Sequence, residues 1–214
     1  MRHAAAIWDM DGVIVNSGEF HFEAWRWLAE QRGQNLTREE FVPTFGMRNP
    51  DAILELFGEI QEAEALEMSL TKEAEFRRLL EGRVEALPGA DRLIRALHQT
   101  GHRQAVASSS PLENIEIILR ELSVAGCFQS VASGDEVSRG KPHPEIFTLA
   151  ATRLGVVPID CIVLEDAVVG VQAGIRAGMQ VYAVTTTRAH EDLTHADRVV
   201  ATLEELNPTD FLLP

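Results

Sequence analysis

Ala4-Ala5-Ala6-Ile7-Trp8-Asp9-Met10-Asp11-Gly12 is the stretch that decides the fold. Five apolar residues in a row, ended at once by two carboxylates, read as a short strand buried on both faces that runs into a polar loop. Such a strand has no polar face to turn to water. It needs apolar strands on each side and helices above and below, which the rest of the chain must supply.

Those partners come late in the chain, after Pro88-Gly89. Helical spacing of apolar residues predicts helices over 91–99, 111–122, 144–154 and 168–177. Short apolar runs between them predict strands at 104–107, 130–132, 161–164 and 181–184. This alternation argues for a parallel sheet with helices on both faces. Ser110-Pro111-Leu112-Glu113 supplies an N-cap serine, a proline at the first helical position and a capping glutamate. From Glu19 to about Arg83 the chain is instead rich in Glu, Leu and Ala. Phe22, Trp25, Leu28 and Ala29 fall at helical spacing, Thr37 and Glu40 form a capping box, and Pro43 and Pro50 punctuate the segment. About four helices and no strand are expected there. Trp25 and Trp27 read as helix-face packing. The expected fold class is therefore α/β: a doubly wound, Rossmann-like parallel sheet core with an inserted all-helical domain. Residues 1–16 and 84–214 would form the core and 17–83 the insertion, with chain crossings near 13–18 and 82–88.

The chain has 214 residues, 45% hydrophobic and 24% charged, enough to bury a real core. Its net charge of −14 disfavours nucleic acid and anionic membrane surfaces as partners. An anionic substrate is admissible where a metal or a few cations reverse the field inside a pocket. Cys127 and Cys161 are too few for a disulfide framework and read as reduced core residues. The N-terminal apolar run is too short for a signal peptide, and no run approaches the ~18 residues of a membrane span. A cytoplasmic protein, monomeric by default, is the expectation.

Open parallel sheets bind ligands beyond the carboxyl ends of their strands. The polar residues that follow the predicted strands are Asp9 and Asp11, then Ser108, Ser109 and Ser110, then Lys141, then Glu165 and Asp166. Of the serines, Ser108 reads as the phosphate-binding hydroxyl, Ser109 as a backbone anchor and Ser110 as the helix cap. Carboxylates, a hydroxyl and an ammonium at one rim suit a hard divalent cation together with a phosphate. Gly170, Gly174 and Gly178, spaced by four, read as a helix packed closely on the sheet.

Asp9-Met10-Asp11-Gly12-Val13, Ser108, Lys141-Pro142 and Glu165-Asp166, in this order, resemble the four motifs of the haloacid dehalogenase-like superfamily. Phe20-His21-Phe22-Glu23-Ala24-Trp25, Leu87-Pro88-Gly89 and Gly140-Lys141-Pro142-His143-Pro144 resemble its β-phosphoglucomutase-like branch, which carries a helical cap. The resemblance implies a Mg²⁺-dependent phosphatase acting on a small phosphorylated metabolite, such as a sugar phosphate, through an aspartyl phosphate. It implies Asp9 as nucleophile and Asp11 as general acid and base. Ser108 and Lys141 would hold the phosphoryl group, with Gly12 letting the backbone turn beside it. Mg²⁺ would be held by Asp9, the backbone carbonyl of Asp11 and Asp166, with Glu165 direct or through water. Asp9 would start ionised and Asp11 protonated, a metal against the Asp9 carboxylate separating their affinities in that direction.

His21 falls at the cap hinge, where a catalytic or substrate role stands beside simple hinge packing. The cap loop reads Phe45-Gly46-Met47-Arg48-Asn49. The mutases of this branch carry a lysine before that glycine and an arginine three residues after it. Here those places hold Phe45 and Asn49, with Arg48 displaced by one and a candidate for substrate contact. The departure favours a phosphatase over the alternative, a phosphotransferase that isomerises a sugar phosphate through the same intermediate. A non-catalytic binding protein on this scaffold would be expected to lack Asp9 or Asp11, and both are present.

Overall fold

The computed structural model describes residues 2–213. A two-residue strand β1 (Arg2–His3) precedes β2 (Ala5–Trp8), the apolar stretch identified above. β2 lies inside a parallel sheet with β3 (Gln104–Ala107), β4 (Ser130–Ala132), β5 (Cys161–Glu165), β6 (Gln180–Val184) and β7 (Arg198–Val200). The order is β4-β3-β2-β5-β6-β7, and each neighbouring pair is parallel. β1 pairs antiparallel with the last strand, β8 (Leu212–Leu213). Helices α5 (Ala90–Gln99), α6 (Leu112–Glu121), α7 (Glu145–Leu154) and α8 (Val168–Arg176) connect the parallel strands.

The strand period of two sorts the apolar residues onto both faces. Ala6, Trp8, Val106, Ile162 and Leu164 pack against Leu93, Ile94 and Leu97 of α5 and Ile115 and Ile118 of α6. Ala5, Ile7, Ala105, Ala107 and Val163 pack against Ile146, Phe147 and Ala150 of α7 and Val171 of α8. Trp8 is fully buried, and its indole N–H donates to Gln104 Oε1 at 3.0 Å. That buried amide in turn donates to the carbonyls of Ile94 and Cys127. Every strand and helix expected of this layer is present within one residue at each end. β7 was not expected. It has three residues, follows Asp197 and begins with Arg198, so it shows no period of its own. It forms because the β6 edge offers backbone partners.

Between β2 and α5 the chain forms α1 (Gly18–Gln31), α2 (Arg38–Phe41), α3 (Asn49–Phe57) and α4 (Glu62–Leu80), with no strand among the described residues. Phe22, Trp25, Leu28, Phe41, Ile53 and Met68 build a separate apolar cluster there. The Thr37–Glu40 capping box is made in both directions. The outgoing and returning chain lie side by side: Val15 bridges Ala86 antiparallel, and Leu87 N donates to Ile14 O at 2.9 Å. No helix among the described residues is long and apolar enough to cross a membrane. Cys127 and Cys161 are buried and unbridged, and burial pushes the Cys161 thiol up to about 11.

One cap differs from expectation. Ser110 does not cap α6; the Asp135 carboxylate accepts from Leu112 N at 3.1 Å instead. The Ser110 hydroxyl turns the other way, toward Asp11.

Candidate active site

The carboxyl ends of β2, β3 and β5 and the loop after β4 bring Asp9, Asp11, Ser108, Lys141, Glu165 and Asp166 to one rim, all of them buried. Lys141 Nζ lies 2.6 Å from Asp9 Oδ1 and 2.6 Å from Glu165 Oε1, so one ammonium ties two strand ends together. Glu165 Oε2 accepts from the backbone N–H groups of Asp166 and Ala167, both at 2.8 Å. Asp166 hydrogen-bonds the Thr187 hydroxyl, and the Thr186 hydroxyl caps the Gly12 carbonyl, both from the loop after β6. Gly12 has φ +85°, and a Cβ there would fall on the Asp166 carboxylate. A Cβ at Gly170 would likewise fall on Glu165, so α8 seats closely beneath these acids.

Ligand oxygens of Asp9, Glu165 and Asp166 lie within 4.8 Å of one another. Burial, opposed by Lys141 and reinforced by Glu165 and Asp11, pushes the Asp9 carboxyl up to about 8. Burial and the neighbouring Glu165 and Asp9 raise Asp166 as well. Three crowded, desolvated carboxylates facing one ammonium are the donor set of a hard divalent cation, so the residues fit such an ion. The Asp11 carboxylate stands outside this group, which leaves its backbone carbonyl as the ligand the resemblance implied.

Asp11 is turned the other way and is held by four donors. Its Oδ1 accepts from Ser17 Oγ at 2.5 Å and lies 3.3 Å from His21 Nε2. Its Oδ2 accepts from Ser110 Oγ at 2.8 Å and from Ser108 Oγ at 3.4 Å. Burial pushes this carboxyl up, but His21 and the hydroxyls outweigh it and leave the group well below the ordinary carboxylate range. In this structure, then, Asp9 holds its proton more tightly than Asp11. Burial and charge crowd Asp9 while hydrogen bonds surround Asp11; the opposite order expected from the resemblance is that of a rim with a metal against the Asp9 carboxylate.

His21 stacks on Phe76 of α4 at 4.0 Å, and its Nδ1 lies 2.8 Å from Lys72 Nζ. A lysine ammonium has donors alone, so Nδ1 accepts and the ring proton sits on Nε2, facing Asp11. Lys72 is fully buried and was not singled out from sequence. Its neighbours one turn away on α4, Met68 and Phe76, are buried too. A lysine within such an apolar row is the signal that could have found it. Glu73 beside it accepts from Lys72 Nζ, Asn49 Nδ2 and Asn114 Nδ2, so it joins α4 to α3 and to α6 of the sheet layer. A cavity of about 30 Å³ separates this group from Asp11, lined also by Trp25, Phe45 and Ser109. Arg48 does not line it. Its guanidinium pairs with Asp51 and donates to Val137 O at 2.7 Å, in the loop that leads to Lys141. The Lys141–Pro142 peptide is cis.

A family model described as haloacid dehalogenase-like hydrolase matches residues 3–178. A β-phosphoglucomutase of Bacillus subtilis is 33% identical over 183 residues, covering 82% of this chain and 80% of the relative. The fructose-1-phosphate phosphatase YqaB of Escherichia coli is 35% identical over 182 residues, covering 83% and 94%. Among solved structures, CbbY from Rhodobacter sphaeroides in complex with xylulose 1,5-bisphosphate superposes with a TM-score of 0.87. It is 26% identical and covers 96% of each chain.

Proposed function

The chain belongs to the haloacid dehalogenase-like hydrolase family, and we propose that it is a Mg²⁺-dependent phosphatase acting on a small phosphorylated metabolite of the sugar phosphate kind. The observation that carries this reading is the division of labour between two carboxylates. Asp9 points into the acidic, lysine-bridged rim, whereas Asp11 points into the cavity beside it. A nucleophile and an acid must reach a phosphoryl group from different sides, and the different neighbours of these two carboxylates support that reading.

An Asp9 oxygen attacks phosphorus, and the bond from phosphorus to the ester oxygen breaks. Asp11 delivers its proton to the departing alkoxide, giving a free alcohol and an aspartyl phosphate on Asp9. Water then attacks that phosphorus and gives its proton to Asp11. The bond to Asp9 breaks, which regenerates the carboxylate and releases inorganic phosphate. Ser108, Lys141 and the turn at Gly12 hold the phosphoryl oxygens throughout. Asp9, Asp166 and the Asp11 carbonyl, with Glu165 directly or through water, would hold Mg²⁺, which would supply positive charge to offset that of the anionic ester. Asp11 must acquire a proton first. A bound ester competes for the Ser108 and Ser110 hydroxyls, and each donor withdrawn from Asp11 raises its affinity for that proton. Residues 17–83 act as a cap that closes over the rim, excludes bulk water and shapes specificity.

The phosphotransferase alternative keeps the same first half and replaces water by a sugar hydroxyl. Phe45 and Asn49 speak against it, because neither carries the positive charge with which Lys and Arg would hold the second phosphate that a mutase must retain. The test is phosphate release with and without Mg²⁺ from aryl and sugar phosphates, with Asp9→Asn as control. Conversion of β-glucose 1-phosphate to glucose 6-phosphate is scored in parallel. Metal-dependent release, lowered at least about 10⁴-fold in Asp9→Asn, is the expected result. Isomerisation with little free phosphate would establish the alternative.

A further inference from the structure

We propose that Glu73 selects the leaving group: its buried carboxylate, with the Lys72 ammonium, accommodates one hydroxyl of the alcohol half and turns away an ester carrying a second phosphate there. The inference rests on the phosphatase reading above and concerns the cavity wall opposite Asp11, to which Lys72, Glu73 and Asn49 contribute.

The hydrogen-bond count comes first. An ionised carboxylate offers about four acceptor positions and an ammonium three donors. Glu73 Oε1 accepts from Lys72 Nζ at 2.8 Å and Asn49 Nδ2 at 2.9 Å, and Oε2 accepts from Asn114 Nδ2 at 2.5 Å. Lys72 donates to Glu73 and to His21 Nδ1. Lys72 Nζ also faces the rings of Trp25 and Phe76, at 5.0 and 5.2 Å, and one acceptor and one donor have no hydrogen-bond partner among the described residues. A single hydroxyl, which donates once and accepts, is their complement.

The charge count points the same way. Lys72 and Glu73 are both buried and in contact, and the lysine and its hydrogen bonds hold the Glu73 carboxyl down at about 2 against the pull of burial, so it stays ionised. Lys72 is the one Lys or Arg among the described lining residues. Arg48, one residue before Asn49, is engaged with Asp51 and Val137. A second phosphate would therefore meet an ionised carboxylate whose one cationic neighbour among the described lining residues, Lys72, is already paired with it.

The experiment compares kcat/KM for fructose 1-phosphate and fructose 1,6-bisphosphate, with Mg²⁺, in the wild type and in Glu73→Gln. With release scored as loss of the C1 phosphate, both esters lose the same alkoxide, so a disturbed Asp11 scales both alike and their ratio reads recognition alone. The wild type should favour the monophosphate by about 30-fold or more, and Glu73→Gln should bring the ratio within about threefold, mainly through KM. Asn49→Arg places a cation on the same wall, in place of the amide that donates to Glu73, and keeps the Glu73 carboxylate itself. It should narrow the ratio too, which keeps the proposal testable should Glu73→Gln not fold. A wild type that prefers the bisphosphate, or a ratio left within about twofold of wild type by either folded variant, overturns the assignment and leaves the phosphatase reading standing. A wild type that releases phosphate from no monoester, aryl phosphates included, overturns both.

Discussion

The rim of the sheet and the inner face of α4 both bury charge, and they do so to opposite effect. At the rim, Asp9, Glu165 and Asp166 crowd around one ammonium, Lys141. Burial, with the excess negative charge behind it, raises the Asp9 and Asp166 carboxyls. On α4, Lys72 and Glu73 stand one to one, and Glu73 is held down at about 2. An unbalanced buried cluster has a standing affinity for the missing charge. A balanced one is satisfied alone and offers a newcomer hydrogen bonds and nothing more. The proposed metal and phosphoryl chemistry belongs to the first region and the proposed choice of alcohol to the second.

Asp11 stands where the two regions meet, so its removal should have the largest effect on the contrast. Asp11→Asn should cost about 10²–10⁴-fold on alkyl phosphates and far less on aryl phosphates with good leaving groups. A leaving-group series measures this, and an equal loss across it would remove Asp11 as the acid. Next comes the balance on α4. Lys72→Met strands a buried carboxylate and should destabilise the fold by about 3–5 kcal/mol in urea unfolding, with much of the loss recovered in Lys72→Met/Glu73→Leu. A single variant costing under about 1 kcal/mol would mean that the pair is not balanced as described.

The smallest effect is on pH. A carboxyl whose pKa is higher in the folded chain binds more protons folded than unfolded, so stability falls as pH rises between the two values. Asp9 and Asp166 are of this kind. Asp11 and Glu73, both lowered, contribute stability that is complete above the unfolded carboxyl range and lost as pH falls below it. His102, lowered by burial, acts with the rising sign below neutrality. From about pH 7 to 8 the rim is left alone to titrate, so Tm in chelator should fall across that interval. Mg²⁺ at about 100 times its Kd should add about 2.7 kcal/mol and flatten the slope. A Tm indifferent to both would show that the rim holds no cation.

The same contrast explains what could be read in advance. Asp9, Ser108, Glu165 and Asp166 lie at or directly after strand ends, and short apolar runs mark strand ends locally. Lys141 was placed at the same rim by its loop. Lys72 and Glu73 sit inside a helix, and Asn114 lies on another helix far along the chain. No local pattern announces that the three converge. The order of the Asp9 and Asp11 affinities was equally hidden, since it depends on Ser17, His21 and Ser110 reaching one carboxylate from three places. Arg48 shows the reverse problem: a residue near the cavity in sequence whose direction is decided by Asp51 and a distant carbonyl.

The bridge between Val15 and Ala86 has a consequence for how such a protein can change over time. Because the chain leaves and re-enters the sheet layer at adjacent points, whatever lies between must satisfy one boundary condition, that its two ends meet. Beyond the contacts that Phe20, Ala24, Phe76 and Glu73 make with the sheet layer, length, helix number and the identity of the wall above Asp11 are left free by the sheet. The segment is thus an exchangeable cassette. A graft between these two points could carry a new specificity while the register of β2, and with it the position of Asp9, stays as it was.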